Sequence, residues 1–318
     1  MDRIGRLIVL TGILPVLPTP FTASGEIDEA AMARITDFAI EAQVDGVVFP
    51  GFASEVDELT AAERTTLLKV VTARVRGRVP VVAGASAATA DLAIQHAREA
   101  LASGVSIVMI QAPKSVGTGA EAVAAFYQDI ADAVPGIEIV LQNAPAPRGS
   151  DLKPEVILDI VRDNRAITYV KEETLPSGLA ISAIIAGKPA HLKGVIGGGG
   201  ARYFIDEYNR GACGAMPAVE LADIHVAMNR AFRAGDIARA RDLYMRTLPL
   251  LVIQANFRMA FTKHVLSRRG ILDNRVVRAK TPPMDAHDIA EIDAWLDACA
   301  DLMRETAPPH ALAAGARG

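Results

Sequence analysis

Short apolar runs alternate with longer amphipathic segments along most of the chain. The runs cover residues 13–17, 45–49, 79–84, 106–110, 138–142, 167–170, 192–196 and 212–216. Each is rich in Val, Ile, Leu or Ala. Runs that are apolar at nearly every position, rather than at alternate ones, predict strands covered on both faces, as in a parallel sheet. The segments between them read as helices. Residues 29–43 place Ala30, Ala33, Ile35, Phe38, Ala39 and Ala42 at helical spacing behind Asp28, a good N-cap. Thr60-Ala-Ala-Glu63 has the form of a capping box. Helices are also predicted over 89–103 (stopped by Gly104), 120–133, 154–163 (with Pro154 in its first turn), 177–186 and 203–210. From Val219 onward the pattern is helical, with breaks near Gly235, Gly270 and Pro282-Pro283.

Strand-then-helix units in succession imply parallel strands joined by right-handed crossovers. Eight such units favour a closed (β/α)8 barrel of the TIM type over an open doubly wound sheet. No G-x-G-x-x-G follows the first run, which weakens a dinucleotide-binding reading. The barrel is assigned to residues 1–235, a C-terminal helical extension packed on it to 236–303, and a loose tail without periodicity to 304–318.

Composition narrows the function classes. The 318 residues are 51% hydrophobic, enough for one large core. The 33 basic and 37 acidic residues are well mixed and give a formal charge of −4, which argues against nucleic-acid and polybasic membrane partners. Cys213 and Cys299 form no disulfide framework and no zinc-binding motif, so a reducing compartment fits best. The first ten residues lack the length and cleavage site of a signal peptide, and no apolar run approaches a membrane span. The expected location is the cytoplasm. None of the six histidines falls at a predicted strand end, so no metal and no cofactor are expected.

Active sites of such barrels lie where strands run into their following loops. The residues there are Pro18-Thr19-Pro20, the loop from Gly51 to Glu55, Gln111, Gln142-Asn143, Lys171-Glu172-Glu173, the four glycines from Gly197 to Gly200, and Met216-Pro217. Lys171 stands out. On a surface it would pair with Glu172 or Glu173. Buried at a barrel mouth, the low dielectric favours its neutral amine, which attacks carbonyls to form a Schiff base.

The same stretches resemble the dihydrodipicolinate synthase/N-acetylneuraminate lyase family of class I aldolase-like barrels, over roughly residues 10–300. Gly51-Phe-Ala-Ser-Glu55 is similar to the family's Gly-Thr-Thr-Gly-Glu loop, and Gln142-Asn-Ala-Pro145 to its Tyr-Asn-x-Pro. Val170-Lys-Glu172 resembles its Schiff-base strand, and Gly211-Ala-Cys-Gly-Ala215 its eighth strand. The resemblance implies that Lys171 condenses with the keto group of pyruvate or a longer 2-oxo acid, giving an iminium that stabilises a carbanion at C3. It implies that the backbone at Phe52, Ala53 and Ser54 holds the substrate carboxylate, with Ser54 supplying the only hydroxyl. Ser54 also reads as an ordinary turn or capping residue. Asn143, Gly198 and Gly199 join the substrate-binding candidates. Family members are usually homodimers or homotetramers.

The departures carry information. The family's proton-relaying tyrosine is Gln142 here, which orients a hydroxyl or water but exchanges no proton. Its two loop threonines are Phe52 and Ala53, and its arginine position holds Pro147, with Arg148 one step on. No acid follows the seventh strand. These features, with Lys171-Glu-Glu-Thr174, resemble a subgroup containing 2-keto-3-deoxy sugar acid dehydratases, such as L-2-keto-3-deoxyarabonate dehydratase. Glu173 is then the candidate acid–base group, beside its plain reading as an ion-pair or helix-terminal charge. Three functions follow: dehydration of a 2-keto-3-deoxy sugar acid; aldol cleavage or a dihydrodipicolinate synthase-like condensation; and non-catalytic binding of a 2-oxo acid.

Overall fold

The computed structural model describes residues 9–146 and 149–306. The candidate Arg148 and most of the tail lie outside the described residues. The strands are β1 (Gly12–Ile13), β2 (Val47–Val48), β3 (Val81–Gly84), β4 (Ile107–Ile110), β5 (Glu138–Asn143), β6 (Ile167–Glu172), β7 (Gly194–Gly197) and β8 (Gly214–Ala215). All their pairings are parallel, in the order β1-β8-β7-β6-β5-β4-β3-β2. The ring closes between β1 and β2, where Val16 bridges Val48, Leu17 N–H donates to Val48 O, and Val48 N–H donates to Pro15 O. This is the (β/α)8 barrel that the alternation predicts. The first strand is shorter than its apolar run because Pro15 has no N–H to give to a ladder.

Helices α1 (Glu29–Glu41), α2 (Ala61–Val75), α3 (Ala90–Ala102), α4 (Ala120–Ala133), α5 (Pro154–Asp163), α6 (Ser177–Gly187), α7 (Phe204–Asn209) and α8 (Ala222–Arg233) follow the strands in turn. The predicted caps form: the Asp28 carboxylate accepts from Ala31 N–H, and Thr60 and Glu63 cap α2 reciprocally. Beyond the barrel come α9 (Ile237–Phe257), α10 (Met259–Arg268), α11 (Ala286–Ala298) and α12 (Ala300–Thr306). The breaks expected at Gly235, Gly270 and Pro282-Pro283 are present, but the helical run is also broken at Arg258, which the sequence did not suggest. Pro249, by contrast, lies inside α9 without ending it. None of the described helices is long and apolar enough to cross a membrane.

Side chains of a strand alternate between two faces, and this decides what enters the barrel. Leu14, Val48, Val82, Met109, Val140, Tyr169 and Ile196 fill the interior as one apolar cluster. Val47, Ala83, Val108, Leu141, Val170 and Val195 belong to the larger cluster between strands and helices. The Tyr169 hydroxyl accepts from Leu10 N–H at 2.9 Å and closes the floor. Two residues past each interior position, the same face continues into the mouth. From β4, β5, β6 and β7 it brings Gln111, Gln142, Lys171 and Gly198.

Candidate active site

Lys171 ends the inward row of β6, and Glu173, two residues on, returns to that same face. Their side chains are 5% and 9% exposed, and Lys171 Nζ lies 3.3 Å from Glu173 Oε1. The pair is therefore interior, not the surface salt bridge that the plain reading offers. Gln142 sits opposite Lys171 in the β5–β6 register, and its Nε2 donates to Glu173 Oε2 at 2.5 Å. The Gly199 N–H donates to Glu173 Oε1 at 3.4 Å. One carboxylate thus gathers an ammonium, a side-chain amide and a backbone amide at the ends of three adjacent strands. Gly198 permits this closeness, because a Cβ there would collide with the Glu173 side chain.

Glu172, between the two, necessarily faces the outer layer, and it has no exposed surface. It accepts from Asn143 Nδ2 on both oxygens, from Thr174 N–H, and from the Thr174 hydroxyl. Burial pushes its carboxyl above the usual range, against the pull of these donors. Asn143 also receives Leu152 N–H and donates to Leu152 O, so its amide is wholly engaged in fixing the loop after β5. Asn143, expected among the substrate contacts, makes all of these hydrogen bonds within the protein. Behind β7, Glu207 is buried against Gly197, takes the Ser177 hydroxyl at 2.8 Å on one oxygen, and has no hydrogen-bond partner on the other among the described residues. Burial raises its carboxyl to about 7.

The loop after β2 is a single tight turn over Phe52–Ser54. The Ser54 hydroxyl accepts from Gly51 N–H and donates to Leu17 O, and its N–H donates to Gly51 O. Ser54 thus has the hydrogen bonds of a turn and capping residue, and its hydroxyl, the one expected to meet the substrate carboxylate, is engaged inside the loop. The backbone at Phe52 and Ala53 remains at the mouth. Glu55, in a left-handed conformation (φ 56°, ψ 43°), fastens this loop from below. It accepts from Lys263 Nζ at 2.5 Å and from the Arg278 and Ala279 N–H groups at 2.7 Å each. Neither Lys263 nor this fastening was visible in the sequence, where the partners stand more than two hundred positions apart. Burial lowers the Lys263 ammonium to about 8, although Glu55 opposes the shift.

A cleft of about 280 Å³ opens beside this loop, lined by Gln142, Gln111, Phe52, Ser86, Met109 and Arg64 among others. Arg64 is held by His96 Nε2 at 2.7 Å and Gly84 O at 3.1 Å. Among the described residues, no three His, Cys, Asp or Glu side chains come together as a metal site.

An inward lysine touching a carboxylate, at the C-terminal mouth of a (β/α)8 barrel, is the arrangement of a lyase of the class I aldolase type. Comparison with known proteins gives the family. Residues 9–298 match the model of the dihydrodipicolinate synthetase family, and the chain belongs to that family. It is 28% identical over 247 residues to "Probable 2-dehydro-3-deoxy-D-pentonate aldolase YjhH" of Escherichia coli, spanning 77% of this chain and 82% of that protein. It is 29% identical over 262 residues to L-2-keto-3-deoxyarabonate dehydratase of Azospirillum brasilense, spanning 81% and 84%. The crystal structure of dihydrodipicolinate synthase from Rhodopseudomonas palustris superposes with a TM-score of 0.85 at 27% identity, covering 92% of this chain and 100% of that one. The chain is accordingly an enzyme, a lyase.

Proposed function

We propose that the protein dehydrates a 2-keto-3-deoxy sugar acid through an imine on Lys171. The observation that carries this reading is the contact of Lys171 with a carboxylate, Glu173, whose other oxygen is held by Gln142. Glu173 takes a proton from the ammonium, and the freed amine adds to the C2 ketone. Loss of water, with the proton returned by Glu173, leaves the iminium. The carboxylate then removes a C3 proton, and the electron pair passes into the iminium to form an enamine. The enamine expels the C4 hydroxyl, which leaves as water with the proton that Glu173 took from C3. Water hydrolyses the resulting unsaturated iminium and frees Lys171. Backbone at Phe52 and Ala53 receives the substrate carboxylate, and Gly198 and Gly199 leave room against the bound chain.

The absence of a phenol at the end of β5 supports elimination. Gln142 moves no proton, so one carboxylate serves as both base and acid, and elimination asks no more than that. The named dehydratase relative supports the same substrate class, and the named aldolase relative makes pyruvate release the competing outcome. Leu175 and Leu179, 62% and 60% exposed beside the mouth, support a homo-oligomer.

Borohydride reduction with pyruvate and with a 2-keto-3-deoxypentonate, followed by peptide mass mapping, tests the assignment. The expected adduct is on Lys171 and vanishes in K171A. An adduct on Lys263 instead, or none in folded protein, overturns it. Assay of the pentonate for lost water against released pyruvate then decides between elimination and carbon–carbon cleavage.

A further inference from the structure

Arg258 occupies a conformation that its side chain disfavours. Its φ of 52° and ψ of −118° are glycine-like backbone angles, and they fall between the last residue of α9 and the first of α10. Such strain persists only where the surroundings over-determine it, and it collects at binding and catalytic sites. Here the surroundings are explicit. Arg258 N–H still donates to Gln254 O at 2.7 Å, and Thr262 N–H to Arg258 O at 3.1 Å, so both helices grip the residue. Gln254 in turn hydrogen-bonds the buried Glu220. A Cβ at Gly200 would stand 2.6 Å from Gln254 Oε1, so the end of α9 lies directly on the loop after β7. Arg202, from that loop, donates to Leu251 O at 3.3 Å.

The break turns the chain toward the opposite rim. The Arg258 guanidinium lies over the Phe52 ring, 5.5 Å from its centroid. Since β8 and β1 separate β7 from β2 around the barrel, this segment bridges the mouth from Gly200 to Phe52. Arg258 and Phe52 are both exposed, whereas Ser54, Lys171 and Glu173 lie deep. A substrate joined to Lys171 with its carboxylate on the Phe52–Ala53 backbone has its far end left to point outward. A guanidinium offers several donors in a planar fork, suited to neighbouring hydroxyls on such a chain.

Resting on the imine reading above, we propose that Arg258 is a specificity-determining residue that binds the hydroxylated tail of the substrate. The strained helix break is what sets its guanidinium on the rim.

Ligands that cannot form an imine separate this proposal from the chemistry at Lys171. A 3-deoxypentonic acid, with the keto group reduced to an alcohol, carries the tail; lactate is the matching acid without one. Their binding is measured by calorimetry on the parent, R258M and R258G, with borohydride trapping of pyruvate run alongside as the report on Lys171. The parent is expected to bind the pentonic acid about tenfold or more tighter than lactate, and both variants to lose that preference while lactate binding stays unchanged. R258G, relieved of the strained backbone, is expected to unfold at or above the parent's temperature, so its loss is not a folding defect. A parent without the preference, or variants that keep it, overturns the proposal. So does an equal loss for lactate, which would place Arg258 on the carboxylate and not on the tail.

Discussion

Two lysines are buried among the described residues, and their difference explains why burial alone does not mark a nucleophile. Lys263 is shut in: its ammonium faces Glu55, donates to Val276 O at 2.6 Å, and lies 4.2 Å from the centre of the Phe21 ring. Its lowered proton affinity reflects a closed packing site. Lys171 instead faces the barrel mouth beside a carboxylate that is itself held by Gln142 and the Gly199 amide. Both lysines touch a carboxylate, so place in the fold separates them: the end of an inward-facing strand row at the barrel mouth for Lys171, the packing between loop and C-terminal helices for Lys263. If Glu173 carries the proton traffic, E173Q keeps the shape and the Gln142 neighbour but loses the base. Turnover of the sugar acid is expected to fall by about 10²–10⁴-fold with the fold intact by circular dichroism. A loss below tenfold would move the acid–base role elsewhere. Period-two alternation made part of this legible in advance, because residues 171 and 173 must share a face and 172 must oppose them. It could not show that Asn143 would be spent on Glu172 and Leu152, since that depends on how the loop after β5 folds back.

At the level of elements, the loop after β2 and the C-terminal helices form one unit. Glu55 joins them through Lys263 of α10 and through the backbone of the segment that follows it. Arg278 adds a second tie, reaching the Glu63 carboxylate in α2 at 2.7 Å and holding it at about 2. Removing one partner of a buried ion pair strands the other charge, at a cost of about 3–5 kcal/mol. K263M is therefore expected to lower the urea midpoint strongly, and the double variant E55Q/K263M to cost clearly less than the two single changes added together. Strict additivity would mean that the pair is uncoupled. The alternation of strands and helices was readable because it is local and repeated. The clamp and the break at Arg258 were not, because each depends on contacts between segments that sequence spacing does not relate. Pro249 is tolerated inside α9, and an arginine marks the turn.

For the molecule as a whole, the barrel was legible from hydrophobic pattern, while the carboxyl group buried behind its strands was not, since Glu207 reads as an ordinary helical glutamate. In the folded chain it faces Ser177 and the strand at Gly197, with Glu173, Glu172 and Asp206 near enough to disfavour its ionisation further. Its carboxyl is raised from 4.5 to about 7. An acid whose proton affinity is higher when folded stabilises the fold fully below its unfolded value. That contribution is lost as pH rises from about 4.5 through 7, where the unfolded chain has ionised and the folded one has not. The span corresponds to at most roughly 3–4 kcal/mol, given about 1.4 kcal/mol per pH unit. Glu172, also raised by burial, slopes the same way, so the total does not isolate Glu207. Substitution does. E207Q keeps a group that can accept from Ser177 but cannot ionise. Its urea stability relative to the parent is therefore expected to improve as pH is raised from 5 to 8, by up to the same amount. If the two proteins lose or gain stability in parallel across that range, Glu207 is not held protonated in the fold.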